Sequence, residues 1–480
     1  MKQDVNLAIC GHAWHGKSTL VGKTVVELGM IGRRKLEQFE RLARKGRDQS
    51  LVFALLMFRQ KDVSDKGGEA ARGITVVSSF VRFDFDSHRV TVIDTPGQET
   101  YTNNRFSGMF SSDCAMLVVD VVDGVQTITE QVLRILKGYE IPLVGVLVTK
   151  MDRVEFRQDA FDETAELIRM ALQDYGLPDD VPFVPTSAYA SQRPIMEPGE
   201  GITRISERMS WYEGPTFHKV LGTLDLRSIR PDRPLRVVIH SADVHEQVPG
   251  VGTAFTGLVE SGRVVKDQTL FFEPVSAEAG EPVTAEVRSI ELTKGHIATP
   301  GIPIQEGYPR QLLGVALRHV STKELKEVVR GRGIVAGTED EPPTVARQFE
   351  AEITVFDSNR DVKVGQQYIM HTHVDKVPVI VKAIMAQQLS PAQQIAATGE
   401  GEDASSLSTG GSDAAPVEGA DSEVSQGAES IEPGAWARVR MEAQRPVAIE
   451  EADQLAPLSK LVLRHSNKPI AFGRCVRILK

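Results

Sequence analysis

The chain has 480 residues, enough for about three domains of ~150 residues each. Hydrophobic residues make up 41% and charged residues 25%, as in an ordinary soluble globular protein, and the sequence lacks the run of ~18 apolar residues that crosses a bilayer. A formal net charge of −10 argues against indiscriminate coating of nucleic acid, although local basic surfaces could still bind phosphates.

The amino terminus passes directly into a strand pattern, without the apolar core of a secretory signal. We therefore expect a cytoplasmic protein with no membrane partner. The three cysteines, Cys10, Cys114 and Cys475, lie far apart in apolar segments and show neither metal-ligand spacing nor a disulfide framework. We expect all three to be buried thiols.

Two kinds of pattern divide the chain. Residues 1–228 alternate Val/Ile/Leu-rich runs such as VNLAIC, RVTVID and PLVGVLVTK with helical patterns, which predicts an α/β domain with a mostly parallel sheet. Prolines break this pattern at RPDRPLR and again at DEPPTVAR, and the later segments are β-rich with Gly, Pro and Asp turns. We therefore predict two all-β barrel domains, at 229–342 and 343–480.

An acidic, low-complexity segment interrupts the last predicted barrel. Between residues 396 and 432 the sequence is rich in Ser, Gly, Ala, Asp and Glu. Such a stretch cannot bury enough apolar surface to offset the entropy lost on ordering. We predict a disordered insertion at about 394–433, which is either a plain solvated linker or a segment with a regulatory or partner-mimicking role.

A glycine-rich loop follows the first predicted strand and opens into a helix. It consists of Gly11, His12, Ala13, Trp14, His15, Gly16, Lys17, Ser18 and Thr19. This segment satisfies G-x-x-x-x-G-K-[ST], in which backbone N–H groups surround nucleotide phosphates, the lysine neutralises the β- and γ-phosphates and the serine can bind Mg²⁺. We predict a phosphate loop here, with Ser18 as a metal ligand. By itself the loop favours neither ATP nor GTP.

A carboxylate ends the strand RVTVID in the motif Asp94-Thr95-Pro96-Gly97-Gln98. Asp94 can hold a water on Mg²⁺, and the Gly97 N–H can sense the γ-phosphate. So short a motif is common, and its weight comes from its position one strand pair after the phosphate loop. Upstream, the loop RGIT ends in Thr75, and we predict that this hydroxyl joins Mg²⁺ only when the γ-phosphate is present.

The choice of base is indicated at the end of the strand PLVGVLV, in the motif Thr149-Lys150-Met151-Asp152. An aspartate here can accept both N1–H and N2–H of guanine, and adenine offers no such pair of donors. The Lys150 stem can lie along the base, and Ser187-Ala188 is placed for backbone contact with the guanine carbonyl oxygen. Ligands bind at the carboxyl ends of strands in such sheets, so we predict GTP or GDP as the ligand.

These segments resemble the translational GTPases, specifically the archaeal and eukaryotic elongation factor 1-alpha class with its release-factor and rescue relatives. The phosphate loop begins Gly-His and ends His-Gly-Lys-Ser, RGIT is the family's effector signature, and KLEQFERLARKGRDQSLVFALL resembles the helical insertion of this class. The runs LVESGRVVKDQTLFFEP, TVARQFEAEITVF and GQQYIMHTHVDKVPVIVKAI resemble its barrels. The resemblance covers nearly the whole chain and implies a P-loop GTPase domain followed by two β-barrel domains.

By this resemblance the protein is a GTPase that uses Mg²⁺ and delivers an aminoacyl-tRNA or a tRNA-shaped protein to the ribosome, releasing it on hydrolysis. A guanine nucleotide exchange factor is a further implied partner, and we expect a monomer. Gln98 stands where the family usually has a histidine, and a glutamine there can orient the attacking water. We therefore predict that Gln98, Lys17 and Thr75 are catalytic.

Three alternatives stay open. One is a GTPase of ribosome rescue or termination, although no amino-terminal extension precedes the phosphate loop, which favours an elongation-factor-like protein. Another is the regulatory GTPase subunit of sulfate adenylyltransferase, to which TPGQETYTNN is similar, although the helical insertion and the third domain oppose it. The last is a binding switch with negligible turnover.

Overall fold

The computed structural model describes residues 2–45, 51–57, 75, 78–189, 197–224, 232–248, 252–274, 283–293, 301–329, 334–356, 360–373, 375–388, 428–466 and 468–479. The chain divides into two compact units, Met1–Pro343 and Thr344–Lys480. Within the described ranges, every helix is too short or too polar to span a bilayer. The three cysteines are buried free thiols, as predicted from the sequence.

The first unit begins with alternating strands and helices. The strands are β1 (Gln3–Cys10), β2 (Ser79–Asp84), β3 (His88–Asp94), β4 (Cys114–Asp120), β5 (Leu143–Thr149) and β6 (Phe183–Pro185). The helices are α1 (Lys17–Glu27), α2 (Arg33–Lys45), α3 (Leu51–Met57), α4 (Thr102–Phe110), α5 (Thr127–Gly138), α6 (Gln158–Asp174) and α7 (Phe217–Gly222). The sheet order is β2-β3-β1-β4-β5-β6. Since β2 alone runs antiparallel, the predicted mostly parallel sheet is confirmed.

The central strands of this sheet are apolar because helices cover both of its faces. In β4 every residue is buried, and a strand covered on both faces reads as a continuous hydrophobic run rather than an alternating one. Helix α3 packs directly on α1, since a Cβ placed on Gly22 would lie 2.0 Å from the carbonyl oxygen of Phe53. The helical insertion therefore lies against the helix that leaves the phosphate loop.

An antiparallel barrel completes the first unit. Its elements are β7 (Arg236–Val248), β8 (Gly252–Ser261), β9 (Val264–Val265), β10 (Thr269–Glu273), β11 (Val283–Leu292), β12 (Ile302–Ile304), β13 (Glu306–Gly307), β14 (Leu312–Arg318), α8 (Thr322–Val329) and β15 (Ile334–Gly337). The order is β10-β15-β7-β8-β14-β11-β12, and a further β10–β11 pairing closes six strands into a ring. The first predicted barrel is therefore present.

The α/β domain and this barrel share a buried contact. Its apolar members are Phe80, Ile93, Leu258 and Leu312. Beside them, Arg310 Nε lies 2.8 Å from Asp113 Oδ1, and Gln311 Nε2 donates a hydrogen bond of 3.0 Å to Asp4 Oδ2. Because β2 and β3 both contribute to this contact, the barrel touches the sheet next to the strand end that carries Asp94.

The second unit is a closed barrel. Its elements are β16 (Val345–Val355), β17 (Val362–Lys363), β18 (Gln367–His371), β19 (Lys376–Gln388), β20 (Ser430–Ile431), β21 (Trp436–Ala448), α9 (Ala452–Ser459), β22 (Lys460–His465) and β23 (Lys468–Ile478). The order of the barrel is β16-β21-β19-β18-β22-β23. Strand β21 alternates buried and half-exposed residues along most of its length, which is the period-2 pattern of a strand with one face in a core.

The acidic insertion predicted at about 394–433 falls mainly outside the described residues, which resume at residue 428. Its last predicted residues include β20, which pairs antiparallel with β17.

Candidate functional site

The predicted site residues lie along one edge of the α/β sheet. Strands β1, β3, β4, β5 and β6 run parallel, so their carboxyl ends meet at this edge. The phosphate loop follows β1, the D-x-P-G motif begins at the end of β3, the T-K-M-D motif begins at the end of β5, and residues 187–188 follow β6. This edge is where open α/β sheets bind ligands.

The phosphate loop depends on backbone conformations that favour glycine. Gly11 has a φ of +144°, and a Cβ there would lie 2.2 Å from the carbonyl oxygen of Val118. Gly16, with a φ of 91°, is the N-cap of α1, whose first N–H groups have no partner within the helix. Trp14 also has a positive φ, of 66°, and is 58% exposed. A helix that begins in this way is suited to bind phosphate.

Lys17 lies buried at the centre of the loop. Its Nζ donates hydrogen bonds to the carbonyl oxygens of Gly11, at 3.0 Å, and His12, at 2.7 Å. Burial lowers the pKa of Lys17 to about 8, and the charge of Asp94 opposes that effect. Burial likewise lowers the pKa of His15 to about 4, so this imidazole is neutral near pH 7. Lys17 therefore supplies a desolvated positive charge at the loop.

The remaining loop residues have local roles. His12 Nδ1–H donates to the carbonyl oxygen of Ala13 at 2.9 Å, and the rings of His12 and His15 lie 5.1 Å apart. Ala13 and Thr19 are half-buried, the latter in the first turn of α1.

The three predicted metal ligands converge. Ser18 Oγ lies 2.5 Å from Asp94 Oδ2 and 2.8 Å from Thr75 Oγ1, although these partners are 76 and 57 residues away in the chain. Two hydroxyls and a carboxylate form a set of hard oxygen donors, which is the chemistry that Mg²⁺ prefers. The donors present therefore fit a magnesium ion. The residues before Thr75 in the RGIT motif lie outside the described ranges.

Gly97 brings the D-x-P-G motif against the phosphate loop. A Cβ at this position would lie 2.4 Å from Lys17 Nζ and 2.6 Å from the backbone nitrogen of Ala13, so a larger residue would push the two segments apart. The next residue, Gln98, is half-buried, and its carbonyl oxygen accepts the N–H of Tyr101 at 3.2 Å. Gln98 therefore directly follows Gly97, which packs against Lys17.

At the opposite end of the site, Lys150 is held by a buried carboxylate. Its Nζ lies 2.7 Å from Asp120 Oδ2, which also receives Arg153 Nη1 at 2.9 Å. Asp120 Oδ1 accepts the N–H of Val122 at 2.8 Å. Burial acts to raise the pKa of Asp120, but these hydrogen bonds and charges outweigh it and hold the pKa below its ordinary value. Asp120 therefore stays ionised and fixes Lys150.

Asp152 and Ser187 meet directly. The Ser187 hydroxyl donates a hydrogen bond to Asp152 Oδ1, and Ser187 Oγ itself accepts the N–H of Tyr189 at 3.2 Å. Ala188, between the two, is half-buried. The contact orients the carboxylate of Asp152, and within the described part of the chain its second oxygen is available for other donors.

Thr149 connects the two ends of the site. Its hydroxyl donates to the carbonyl oxygen of His15 at 2.6 Å, with the carbonyl oxygen of Val119 at 3.2 Å as an alternative acceptor. The sequence placed Thr149 among the nucleotide-binding residues, and its side chain is fully engaged in tying β5 to the phosphate loop. The structure thus brings together predicted residues from five segments: the phosphate loop, Thr75, the D-x-P-G motif, the T-K-M-D motif and residues 187–188.

Two charged residues of the site were missed from the sequence. Asp120 is the last residue of β4, as Asp94 is the last residue of β3. A carboxylate at this strand end could therefore have been recognised from the sequence as a candidate site residue. Arg105, in α4, is fully buried. Its positive charge lowers the pKa of Lys17, and this influence is smaller than those of burial and of Asp94. Nothing in the run NNRFSG distinguishes a buried arginine from an exposed one.

Comparison with known proteins decides the family. Residues 2–224 match the family described as the elongation factor Tu GTP binding domain. The chain is 30% identical over 482 residues to elongation factor 1-alpha of Pyrococcus horikoshii, an alignment that covers 100% of this chain and 99% of that protein. The chain belongs to the elongation factor 1-alpha family. It is accordingly a translational GTPase of the elongation factor 1-alpha and Tu type, and the predicted family and enzyme class are confirmed.

Solved structures share the fold of this elongation factor 1-alpha homologue. The GTPase-like domain of Saccharomyces cerevisiae Ski7 bound to GTP aligns with a TM-score of 0.71 and 18% identity, covering 99% of this chain and 97% of that one. The elongation factor SelB of Methanococcus maripaludis, in complex with the GTP analogue GppNHp, aligns with a TM-score of 0.61 and 17% identity, covering 100% of this chain and 79% of that one. The predicted fold class, an α/β P-loop GTPase domain followed by two β-barrels, is confirmed.

Proposed function

We propose that this GTPase is a guanine nucleotide switch whose Mg²⁺–GTP form binds an aminoacyl-tRNA or a tRNA-shaped protein, carries it to the ribosome and releases it after hydrolysis. The observation that carries the proposal is the meeting of Ser18, Thr75 and Asp94. Thr75 precedes β2, far from the phosphate loop in sequence, yet its hydroxyl lies 2.8 Å from that of Ser18. A metal ligand from such a segment can be gained or lost with the γ-phosphate.

At the phosphate end, Ser18 and Thr75 would bind Mg²⁺ directly and Asp94 through a water, and the ion would neutralise charge on the β- and γ-phosphates. The chain's own groups complete the contact. Lys17 would exchange its carbonyl partners, Gly11 and His12, for phosphate oxygens, which make stronger charge-assisted hydrogen bonds. The N–H of Gly97, in the D-x-P-G motif, would donate to the γ-phosphate, so that the position of the following turn would depend on whether that phosphate is present.

At the base end, Asp152 would accept N1–H and N2–H of guanine. Its orientation is supported by the Ser187 hydroxyl, and the stem of Lys150 would lie along the base while its ammonium stays on Asp120. The backbone N–H of Ala188 would donate to the guanine carbonyl oxygen. Adenine would leave the half-buried carboxylate of Asp152 without its two donors, which is a strong basis for discrimination.

For hydrolysis, Gln98 would orient the attacking water. Replacing it by alanine should slow single-turnover GTP hydrolysis by roughly 10- to 100-fold with little change in GTP affinity, because it removes an orienting contact rather than a binding one. The assay is run with and without ribosomes. An unchanged rate in Gln98→Ala would remove Gln98 from the mechanism, and an equal rate with and without ribosomes would remove the ribosome as the trigger.

The cargo is tested by retention on immobilised protein. The protein is loaded with a non-hydrolysable GTP analogue or with GDP and exposed to charged tRNA, to a release-factor-like protein and to ribosomes. We expect at least one of these to be retained with the GTP analogue and lost with GDP. Thr75→Ala is the control, since it should still bind GDP but lose the difference between the two states. Equal recovery in both states with the wild-type protein would refute the switch.

A further inference from the structure

Helix α1 carries two charged residues that the nucleotide site does not use. Lys23 and Glu27 are one turn apart, with side chains only 1% and 5% exposed, and Lys23 Nζ lies 3.8 Å from Glu27 Oε1. The Lys23 ammonium also lies over the Phe53 ring, 4.8 Å from its centroid. Removing two charges from water can cost more free energy than their mutual attraction returns, so such a pair is poor evidence of a purely stabilising role.

Both side chains bind segment 197–203, which follows the base-recognition loop, residues 187–189, in the chain. Lys23 Nζ donates to the carbonyl oxygen of Glu197 at 2.5 Å. The carboxylate of Glu27 accepts the N–H of Gly199 at 2.6 Å through one oxygen and the hydroxyl of Thr203 at 2.5 Å through the other. Segment 197–203 is therefore held to α1 at three points by two buried side chains.

That segment is paired in turn with the base-recognition loop. The N–H of Ser187 donates to the carbonyl oxygen of Glu200 at 3.0 Å, and the N–H of Glu200 donates back to Ser187 at 2.9 Å. The Glu200 carboxylate, 2% exposed, accepts the N–H of Ser206 at 2.9 Å. Ser187 in turn donates its hydroxyl to Asp152. A continuous set of hydrogen bonds thus runs from α1 to the carboxylate assigned to guanine.

We propose that Glu27, with Lys23, is a positioning residue for guanine recognition: it fixes segment 197–203, which fixes Ser187 and thereby aims Asp152 at the base. The inference rests on the base-site assignment of the proposed function and extends it to a residue that touches no nucleotide. Because α1 begins at Lys17 and Ser18, one helix sets the positions of both the phosphate contacts and the base carboxylate.

The test compares GDP with IDP, which lacks the exocyclic N2 amine and so loses one of the two donors to Asp152. In the wild type, IDP should bind more weakly than GDP. Glu27→Gln keeps the side-chain shape but leaves one oxygen to serve two donors, so the ratio Kd(IDP)/Kd(GDP) should fall by about fivefold. Thr203→Val, which removes one donor to Glu27, should lower the ratio less. The milder variant decides the test if Glu27→Gln does not fold.

Val25→Ala is the matched control, because Val25 is a buried residue of the same helix that contributes packing only. It should lower the melting temperature and leave the IDP/GDP ratio unchanged. A ratio unaffected by Glu27→Gln and Thr203→Val would overturn the inference, as would an equal fall in Val25→Ala. Asp152→Asn distinguishes failure of this inference from failure of the proposed base site. If Asp152→Asn does not alter base preference, the proposed base site itself is wrong.

Discussion

At the base end of the nucleotide site, side-chain partners hold Lys150 and Asp152, whereas at the phosphate end the loop backbone holds the buried ammonium of Lys17. Lys150 is fixed by Asp120, and Asp152 by Ser187. In the phosphate loop, by contrast, the partners of Lys17 among the described residues are main-chain carbonyl oxygens. The base end is thus pre-organised by specific side chains, and the phosphate end is free to exchange its partners when a ligand arrives.

This difference separates selectivity from response. A carboxylate already oriented by a hydrogen bond loses little freedom on binding a base, which favours discrimination. A buried lysine with weak neutral acceptors gains much from a phosphate, and the hydroxyl of the neighbouring Ser18 lies 2.8 Å from that of Thr75. Base-end substitutions should therefore change which base is preferred. Phosphate-end substitutions should change how much each phosphate of the nucleotide contributes to affinity.

The largest expected effect is at Asp152. Asp152→Asn replaces the acceptor of two purine N–H groups by an amide that also donates, so GDP affinity should fall on the order of 1,000-fold while XDP gains affinity. Competition binding with GDP and XDP measures this change in base preference. Asp162→Asn, an exposed aspartate of α6, is the control and should bind as the wild type does. Retained preference for GDP in Asp152→Asn would contradict the base-end assignment.

Next comes Lys17→Met. Removing the ammonium deletes a charge-assisted contact to phosphate, so GDP affinity should fall by roughly 100-fold. The preference for GDP over GMP should shrink at the same time, because the lost contact is with the β-phosphate. Calorimetric titration with GDP and GMP gives both numbers. A uniform loss for GDP and GMP would mean that Lys17 acts on the fold of the loop rather than on phosphate.

A smaller effect is expected at Asp120. Asp120→Asn weakens the anchor of Lys150 and should raise the Kd for GDP about tenfold, with a lower melting temperature because Arg153 also loses a buried partner. Asp123→Asn is matched to it, since Asp123 lies 3.5 Å from the same Arg153 but is exposed. The control should change neither quantity. Equal behaviour of the two variants would argue against Lys150 being held for the base.

The smallest effect is a pH dependence at the phosphate end. Burial lowers the pKa of Lys17 to about 8, and bound phosphate should raise it, because an anion stabilises the ammonium. Below about pH 7 Lys17 is protonated with or without nucleotide, so no proton is exchanged. From about pH 8 upward the free protein is partly deprotonated, so binding takes up a proton and affinity falls, by at most tenfold per unit of pH.

This uptake is measured by calorimetry at pH 8.5 in two buffers of different ionisation enthalpy. The wild type should take up a fraction of a proton on binding GDP, and Lys17→Met should take up none. Proton release, or equal uptake by both proteins, would contradict the assignment to Lys17.

The sequence predicted those parts of the site whose chemistry is local. A phosphate loop requires glycines, a lysine and a hydroxyl within a few positions, so Gly11, Lys17 and Ser18 were identifiable from spacing alone. Asp152 was identifiable because T-K-M-D follows an apolar strand. The parallel sheet then brings these ends together, as periodicity predicted. Local pattern and fold class therefore account for most of the residues that we propose contact the nucleotide.

The missed residues owe their roles to packing between segments distant in sequence. Glu27 reads as one more polar residue on a helix, and its burial follows only from the approach of segment 197–203. Asp120 matters because β4 lies beside β5, which brings Lys150 to it. None of these approaches is encoded in a motif of a few residues.

The central claim is that the phosphate loop, Asp94 and Asp152 surround one guanine nucleotide. Isothermal titration of the purified protein with GDP at millimolar Mg²⁺ tests it most directly. We predict a saturable heat with about one GDP bound per chain, abolished in Asp152→Asn and restored there by XDP. A protein that gives no heat with either GDP or GTP under these conditions would contradict the account.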